Sequence, residues 1–255
     1  MGKVIAVVNQ KGGTAKTTTA VNLGAYLAMA GRRVLLVDMD PQGNATSGVG
    51  IEKRNVDACI YRVLIEEIPM SQAILPSGVE GMEVVPATLN LAGAEIELVS
   101  VMSREHRLRN ALAELRSVYD YVLIDCPPSL GLLTLNALTA ANSVLVPIQC
   151  EFYALEGLGQ LTHTIEMVRR HLNPALALEG VVLTMFDSRT NLSQQVEDDV
   201  RRNLGAEVFS TVIPRNVRLS EAPSYGQPIP LYDDKSKGAD AYRSLAKEIM
   251  NREGA

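Results

Sequence analysis

The sequence predicts an α/β fold, namely a single doubly wound domain with a mostly parallel central sheet and helices on both faces. Short β-branched runs alternate with longer segments of helical spacing, which is the pattern of parallel strands joined by crossover helices. Some runs, such as 34–37 and 121–124, are apolar throughout, as expected of strands covered on both faces. The 255 residues contain no internal repeat and no obvious linker, so residues 1–255 are expected to form one domain.

The same periodicity predicts the individual elements. Expected strands occupy residues 3–9, 33–38, 82–86, 120–125, 143–148, 180–185 and 207–213. Expected helices occupy residues 16–30, 103–117, 155–172 and 191–204. The segment 241–252 has only modest apolar and basic faces, so we expect a helix that packs on the body of the domain. Ligands of such sheets bind beyond the carboxyl ends of the strands, which makes the residues after each apolar run the first functional candidates.

The composition is that of a chain that can bury a sizeable core, since 47% of its residues are hydrophobic. No apolar run reaches the roughly 18–20 residues that span a bilayer, and the first residues lack the apolar block of a signal peptide. These features predict a cytoplasmic location. The cysteines Cys59, Cys126 and Cys150 are widely spaced and form no CxxC pair, which argues against a disulfide or a cysteine metal site.

The segment that follows the first strand predicts a phosphate-binding loop. An apolar run at 4–8 leads into a glycine turn and then into Lys16 and Thr17, which open a predicted helix. Backbone N–H groups of such a turn, the helix N-terminus and the lysine ammonium all favour bound phosphate, and the threonine hydroxyl can reach Mg²⁺. The candidate nucleotide-binding residues here are Lys11, Gly12, Gly13, Thr14, Ala15, Lys16, Thr17 and Thr18.

This loop departs from the usual Walker pattern, G-x-x-x-x-G-K-[ST], because Gln10 and Ala15 stand where glycines are expected. It matches the deviant motif K-G-G-x-x-K-[ST], whose additional lysine is Lys11. An ordinary strand-to-helix turn is the alternative, and the two spaced lysines favour the phosphate site. Ala15 should cost little if its φ is negative, whereas a left-handed conformation would cost about 1 kcal/mol or more.

Three aspartates lie at the carboxyl ends of predicted strands and indicate a magnesium site. Asp38 ends the second strand, Asp40 follows it by two residues, and Asp125 ends the fourth. Carboxylates beside a triphosphate disfavour its binding unless a divalent cation lies between them, so Mg²⁺ is implied. We expect Thr17 to be a direct ligand, Asp38 and Asp125 to act through waters, and Asp40 to orient or activate the attacking water. Each aspartate alone would be interpreted as a loop or capping residue.

Segments 9–18, 38–50, 125–133 and 213–230 resemble the Soj/ParA chromosome-partitioning ATPases of the ParA/MinD group, over almost the whole chain. The resemblance implies a deviant P-loop NTPase fold with ATP and Mg²⁺ as cofactors. It also implies an ATP-driven sandwich homodimer that binds double-stranded DNA non-specifically and returns to monomers on hydrolysis. A centromere-binding protein of the ParB type is the implied partner that stimulates hydrolysis, in chromosome or plasmid segregation. The implied location is the nucleoid.

The resemblance also assigns roles to individual residues. Lys11 would reach across the dimer to the partner's nucleotide, Gly12 would lie at the close dimer contact, and Lys16 would bind phosphate within its own chain. Asp40 would be the hydrolysis residue of the first switch, and Asp125 the Walker B aspartate. The candidate catalytic residues are therefore Lys11, Lys16 and Asp40.

Two further groups of residues are candidates by the same resemblance. Pro214, Arg215 and Asn216 are expected to contact adenine, although a proline-rich stretch can also be a rigid surface connection. The net charge of −5 means that DNA binding requires a local basic patch, for which Arg189 and Arg218 are the candidates. Lys235 and Lys237 are further candidates, and the alternative for all four is a solvated charged surface.

Two other functions remain open at this point. A MinD-like division regulator would bind membrane through a basic amphipathic C-terminal helix, and the modest faces of 241–252 lead us to expect no stable membrane association. A nucleotide-dependent scaffold with little hydrolysis is the other alternative, for which Ala15 is the clue.

Overall fold

The computed structural model describes residues 2–151 and 156–252. Within these ranges the strands are β1 (Lys3–Val7), β2 (Val34–Asp38), β3 (Leu75–Pro76), β4 (Met82–Val85), β5 (Tyr121–Asp125), β6 (Ser143–Gln149), β7 (Ala177–Phe186) and β8 (Val208–Pro214). The α-helices are α1 (Lys16–Met29), α2 (Asn44–Gly48), α3 (Ile60–Ile65), α4 (Leu91–Glu97), α5 (Arg107–Ala111), α6 (Leu132–Ala140), α7 (Glu156–His171), α8 (Asn191–Leu204), α9 (Val217–Glu221), α10 (Ile229–Tyr232) and α11 (Lys237–Arg252).

The strands form one eight-stranded sheet in the order β3-β4-β2-β5-β1-β6-β7-β8. Every neighbouring pair is parallel except β3 with β4, so the predicted mostly parallel sheet is confirmed. Strands β1 and β2 both flank β5, and its last residue, Asp125, is the register partner of Val7 on one side and of Asp38 on the other. The first, second and fifth strands therefore end together at one edge of the sheet.

The sheet separates two apolar clusters, which explains why its strands are apolar throughout. In β1, Val4 and Ala6 belong to one cluster, whereas Ile5 and Val7 belong to the other. Helices α1 and α11 contribute buried side chains to the cluster that holds Ile5, while α6, α7 and α8 contribute to the opposite one. Burial of about 25 cal/mol per Å² of apolar surface on both faces is the main stabilisation of such a fold. Helices on both faces confirm the doubly wound architecture.

Most predicted elements agree with the structure within one or two residues, and the C-terminal helix packs as expected. Tyr242, Leu245 and Ile249 of α11 are fully buried against the sheet. The predicted helix 155–172 corresponds to α7, although residue 155 lies outside the described residues. In the described ranges, no helix combines the length and apolar character needed to cross a bilayer.

One predicted helix was wrong in extent, and another helix was missed. The expected helix 103–117 is only α5 preceded by a 3₁₀ turn, because after Ala111 the chain forms i→i+3 bonds, such as Leu115 N–H to the Leu112 carbonyl at 3.1 Å. Helix α6 was not predicted. It buries polar Thr134 and Asn136 as well as Leu133 and Leu138, so its sequence lacks the alternation of apolar and polar faces that identifies a surface helix.

Candidate active site

The loop between β1 and α1 is held in shape by Asn9, a residue that the motif does not include. The buried Asn9 side chain donates from Nδ2 to the Pro147 carbonyl at 2.7 Å, and its Oδ1 accepts the Lys11 N–H at 3.0 Å. The Lys11 carbonyl in turn accepts bonds from the Thr14 hydroxyl at 3.3 Å and from Lys16 Nζ at 3.0 Å. The loop is therefore fixed to β6 before it enters α1.

Ala15 has a left-handed backbone, with φ 65° and ψ 30°, immediately before α1 begins at Lys16. Gly13 also has a positive φ of 77°, but glycine adopts it without steric cost. For alanine the conformation costs roughly 1 kcal/mol or more, because its Cβ approaches the following carbonyl oxygen. The structure thus gives the strained of the two conformations considered for this position. Strain of this kind in a loop that precedes a helix N-terminus is typical of ligand-binding sites.

Lys16 is buried at the start of α1 and lies among carboxylates. Its side chain folds back over the loop to the Lys11 carbonyl. Burial lowers the pKa of Lys16 from its ordinary value, and the neighbouring Asp125 and Asp40 carboxylates act in the opposite direction. An anion bound in the loop would supply a counter-charge that stabilises the buried ammonium group of Lys16.

Lys11 is more exposed than Lys16 and has a different environment. Its Nζ lies 3.8 Å from Oε2 of Glu151, and 41% of its side chain is accessible. Glu151 is itself held by Gln149 at the end of β6, whose Nε2 donates to Oε1 at 2.6 Å. The two lysines of the motif therefore differ, because one points into the loop and the other lies at the surface.

Asp125 is fully buried, and neither of its carboxylate oxygens has a hydrogen-bond partner among the described residues. Burial, and next the charge of Asp38, raises the pKa of Asp125 well above its usual range, while the Thr17 hydroxyl and the Lys16 ammonium oppose this rise. A buried carboxylate without partners is costly unless a cation or a bound water satisfies it. The orphaned oxygens beside Thr17 therefore fit a magnesium ion with its water shell.

Asp38 is also fully buried, but the protein satisfies its carboxylate. Oδ2 accepts bonds from the Thr46 hydroxyl at 2.7 Å and the Thr46 N–H at 2.8 Å, while Oδ1 accepts the Asp40 N–H at 3.1 Å. Burial nevertheless raises the pKa of Asp38 to about 6, against the effect of these bonds. Three of the roughly four acceptor positions of a carboxylate are thus used. One position remains for a water of a metal shell.

Asp40 lies two residues beyond β2 and is 8% exposed. Its Oδ1 accepts the Gln42 N–H at 2.9 Å, which closes a tight turn before α2. The bond from the Asp40 N–H to Asp38 fixes the backbone at this point. The Asp40 carboxylate is therefore held near Lys16 and Asp125 by the loop that also anchors Asp38.

A cleft of about 800 Å³ joins the loop to the segment after β8. Ala15 and Thr18 of the loop line it together with Pro214 at the end of β8 and with Arg215 and Asn216. The Arg215 N–H donates to the Phe186 carbonyl at 2.9 Å, and Asn216 caps α9 by accepting the Arg218 N–H at 2.9 Å. The structure thus brings predicted phosphate and adenine residues into one cleft, which is large enough for a small-molecule ligand.

The two predicted DNA-binding arginines are exposed but carry carboxylate partners. Arg189, with 84% of its side chain accessible, forms an ion pair with Asp187 at 2.7 Å. Arg218 pairs with Glu221 at 2.9 Å and with Asp233 at 3.4 Å. Exposed pairs of this kind contribute only about 0–1 kcal/mol, so a phosphate can displace the carboxylates at small cost.

The comparisons with known proteins agree with this geometry. The family described as an AAA domain matches residues 2–178. The sporulation initiation inhibitor protein Soj of Bacillus subtilis is 60% identical over 249 residues, which cover 98% of this chain and 98% of that protein. The chromosome partitioning protein ParA of Myxococcus xanthus is 58% identical over 253 residues, which cover 99% of this chain and 89% of that protein.

The chain belongs to the Soj/ParA family. The resemblance on which the residue roles depend is thereby confirmed at the level of the family. Among solved structures, cobyrinic acid a,c-diamide synthase from Mycobacterium smegmatis with a bound ATP analogue and magnesium is 43% identical. The two structures superpose with a TM-score of 0.89, and the match covers 100% of this chain and 97% of the synthase chain.

In this member of the Soj/ParA family, sequence reasoning missed three residues that shape the site. Thr46 holds Asp38 by two bonds, Glu151 pairs with Lys11, and Asn9 ties the loop to β6. The motif signals only the loop and the strand-end aspartates. A polar residue at the start of the helix after Asp38 is the one local clue that could have indicated Thr46.

Proposed function

We propose that this chain is a magnesium-dependent ATPase whose ATP-bound form is a homodimer that binds double-stranded DNA and acts in chromosome or plasmid segregation. The observation that carries the proposal is the buried, unpartnered Asp125 carboxylate at the foot of a phosphate-type loop. Relatives named Soj and ParA over nearly the whole chain support the biological setting. The proposal treats residues 1–255 as one ATPase domain.

The residues of the loop bind the nucleotide phosphates. Lys16 leaves the Lys11 carbonyl to contact phosphate oxygens, which restores a full counter-charge around its buried ammonium. The positive end of α1 and the N–H groups of Gly12, Gly13, Thr14 and Ala15 add to the same attraction. Thr17 and Thr18 belong to the first turn of α1, and the Thr17 hydroxyl is the proposed contact to the cation.

Thr17, Asp38 and Asp125 would hold Mg²⁺, with Thr17 as a direct ligand and the two aspartates through waters. When bound with ATP, Mg²⁺ neutralises charge on the phosphate oxygens. Asp125 has both oxygens available, whereas Asp38 has one remaining acceptor position after its bonds to Thr46 and Asp40. Asp38 therefore also serves to fix the segment that carries Asp40.

Asp40 orients the water that attacks the γ-phosphate. One of its oxygens accepts the Gln42 N–H, which leaves the other oxygen to accept a hydrogen bond from the water. Phosphoryl transfer depends mainly on positioning and on charge neutralisation, so a fixed carboxylate is sufficient for this role. Pro214, Arg215 and Asn216 receive the adenine in the cleft that Ala15 and Thr18 also line.

Lys11 couples the nucleotide to dimerisation. In the monomer it is paired loosely with Glu151, at 3.8 Å, and it is accessible to a second chain. Release of this pair costs little, since both side chains are exposed. Contact with the γ-phosphate bound by the partner chain would then favour the dimer with ATP over the dimer with ADP.

Arg189 and Arg218 supply the DNA contacts, and dimerisation doubles their number without any new residue. Because the chain has a net charge of −5, attraction to DNA must come from such local positive groups. We place the protein in the cytoplasm on the nucleoid. A ParB-type protein is the proposed partner that stimulates hydrolysis and releases the dimer. The burial of the α11 apolar face leaves the membrane-bound alternative without support.

The proposal is tested by separating dimerisation from turnover. Asp40→Ala should retain ATP-dependent dimerisation in sedimentation velocity runs while losing ATP hydrolysis. Asp57→Ala, at an exposed loop position outside the motif segments, is the matched control and should retain both properties. A wild-type protein that neither binds nor hydrolyses ATP, or an Asp40→Ala variant that hydrolyses ATP at the wild-type rate, would contradict it.

A further inference from the structure

Thr184, near the end of β7, contacts the phosphate loop although it lies 170 residues away in sequence. Its side chain is fully buried, and its hydroxyl lies 3.1 Å from the Thr14 carbonyl oxygen and 3.2 Å from that of Ile148. One hydroxyl proton is thus shared between the loop and β6. None of the motifs includes Thr184.

The bond to Thr14 fixes the orientation of the peptide that joins Thr14 to Ala15. The chain contains no cis peptide bond in its described parts, so the carbonyl and the N–H of this peptide point in opposite directions. Because the carbonyl points to Thr184, the Ala15 N–H points away from β7. That N–H donates no hydrogen bond to any other residue in 2–151 or 156–252, so it is available to a ligand.

The same peptide borders the strained residue of the loop. Rotation of the peptide plane changes φ of Ala15, which is held at 65°, and alanine relaxes readily to negative φ. The Thr184 hydroxyl opposes this relaxation, because a rotated carbonyl would lose its buried donor. A glycine at position 15 would need less support, since glycine adopts both signs of φ.

We propose that Thr184 is a positioning residue for the nucleotide, which holds the Thr14–Ala15 peptide so that the Ala15 N–H faces the bound phosphate. The inference rests on the proposed nucleotide-binding function. Without the hydroxyl, the loop samples orientations that cannot bind, and the apparent affinity falls by the fraction of competent loops. Thr184 therefore compensates for the alanine that replaces glycine in this motif.

The test is the affinity for Mg·ADP, measured by calorimetry on the full chain, because this ligand does not require the dimer. Thr184→Val should weaken binding by roughly three- to tenfold, and Thr184→Ser, which keeps the hydroxyl, should stay within about twofold of wild type. Thr139→Val is the matched control. Thr139 is also buried, but among the described residues its hydroxyl bonds only to the Leu135 carbonyl of its own helix, so this variant should bind normally.

A double-mutant cycle distinguishes positioning from a general loss of packing. Thr184→Val should cost less affinity in an Ala15→Gly background than in wild type, because glycine at position 15 holds the left-handed conformation without the anchor. Equal losses of affinity in both backgrounds, or a Thr184→Val protein that binds like wild type, would overturn only the proposed role of Thr184. A folded wild-type protein that fails to bind Mg·ADP at all would instead overturn the proposed function.

If Thr184→Val does not fold, Thr184→Ser and Thr184→Ala are compared in the same two backgrounds. The alanine variant removes the hydroxyl without introducing a larger side chain. A loss in Thr184→Ala that the serine variant avoids, and that glycine at position 15 reduces, is the expected result. Equal affinities for the serine and alanine variants would refute the positioning role.

Discussion

Asp38 and Asp125 are register partners at the ends of the neighbouring parallel strands β2 and β5, yet the protein satisfies only one of the two carboxylates. Asp38 accepts three hydrogen bonds from Thr46 and Asp40, whereas Asp125 accepts none from the described residues. Two buried carboxylates side by side also repel each other. In the proposed magnesium site, a cation and its waters would satisfy the Asp125 carboxylate and reduce this repulsion.

The first prediction concerns the stability of the metal-free protein. Asp125→Asn removes an unpartnered buried charge, so it should raise the free energy of unfolding by about 1–3 kcal/mol in the presence of a chelator. Asp38→Asn is the matched control and should lower it, because the amide nitrogen cannot accept the bonds that Asp38 now accepts. With Mg·ADP present, wild type should have a higher free energy of unfolding than Asp125→Asn. Urea unfolding gives the free energy of unfolding of all three proteins. A lower value for metal-free Asp125→Asn than for metal-free wild type would contradict this interpretation.

The same pair predicts a pH dependence with a definite sign. The folded-state pKa values of Asp38 and Asp125 are raised, that of Asp38 from 3.8 to about 6. At these two groups the folded chain therefore binds more protons than the unfolded chain above pH 3.8, and their contribution to stability is lost as the pH rises through their folded-state pKa values. The stability advantage of Asp125→Asn without metal should grow as the pH rises above 3.8 towards and past neutrality, because the raised pKa of Asp125 delays ionisation in the folded chain. A constant advantage over this range would show that Asp125 does not titrate in it.

A second prediction follows from the backbone of Ala15. Ala15→Gly removes the cost of the left-handed conformation, so it should raise the free energy of unfolding by about 1 kcal/mol and leave Mg·ADP binding at least as tight. Ala92→Gly, at an exposed position inside α4, should instead lower it by roughly 0.5–1 kcal/mol. Urea titrations of the two variants make the comparison. A decrease in both would mean that position 15 is not strained.

A third prediction separates the two lysines. Lys16→Ala should weaken binding of both Mg·ADP and Mg·ATP by more than about tenfold, because it removes a buried charge that faces the phosphates. Lys11→Ala should leave Mg·ADP binding intact and abolish only the ATP-dependent dimer, since its side chain is exposed at the surface. Lys247→Ala, on the exposed side of α11, is the control for loss of a surface lysine. Calorimetry and sedimentation give the two readouts, and an unchanged dimer in Lys11→Ala would remove its proposed role.

A fourth prediction concerns the two arginines. The double variant Arg189→Ala, Arg218→Ala should lose ATP-dependent DNA binding. Its remaining affinity should depend less steeply on salt, by about 0.9 in log–log slope for each DNA phosphate that the variant no longer neutralises. The double variant Arg54→Ala, Arg202→Ala removes two other exposed, ion-paired arginines and should bind normally. Fluorescence anisotropy over a salt series measures both. Full binding by the first variant would show that the DNA surface lies elsewhere.

The sequence was sufficient for the features that depend on neighbouring residues. The sheet, the loop from Lys11 to Thr18 and the strand-end aspartates all follow from local pattern, because a parallel sheet brings its carboxyl ends together. It was not sufficient for contacts between distant segments. The bond from Thr184 to Thr14 and the pair of Glu151 with Lys11 each join residues more than a hundred positions apart, and no spacing rule identifies them.

Conformation also escaped prediction where the environment decides it. Ala15 is an alanine with a positive φ, whereas the sequence of the loop was compatible with either sign of φ. Helix α6 buries apolar and polar side chains alike, so its periodicity carried no signal. In both cases the tertiary structure overrides a local preference. The candidate site depends more than the sheet does on conformations that tertiary contacts impose.

The most direct test of an ATP-gated switch is binding of the purified protein to non-specific duplex DNA without nucleotide, with ADP, with ATP and with a slowly hydrolysed ATP analogue. Oligomeric state is followed in the same samples. We expect DNA binding and dimerisation only with ATP or its analogue, which would also show that the strained Ala15 is tolerated. Binding that is independent of nucleotide, or a chain that stays monomeric with the analogue, would contradict the switch and favour a scaffold.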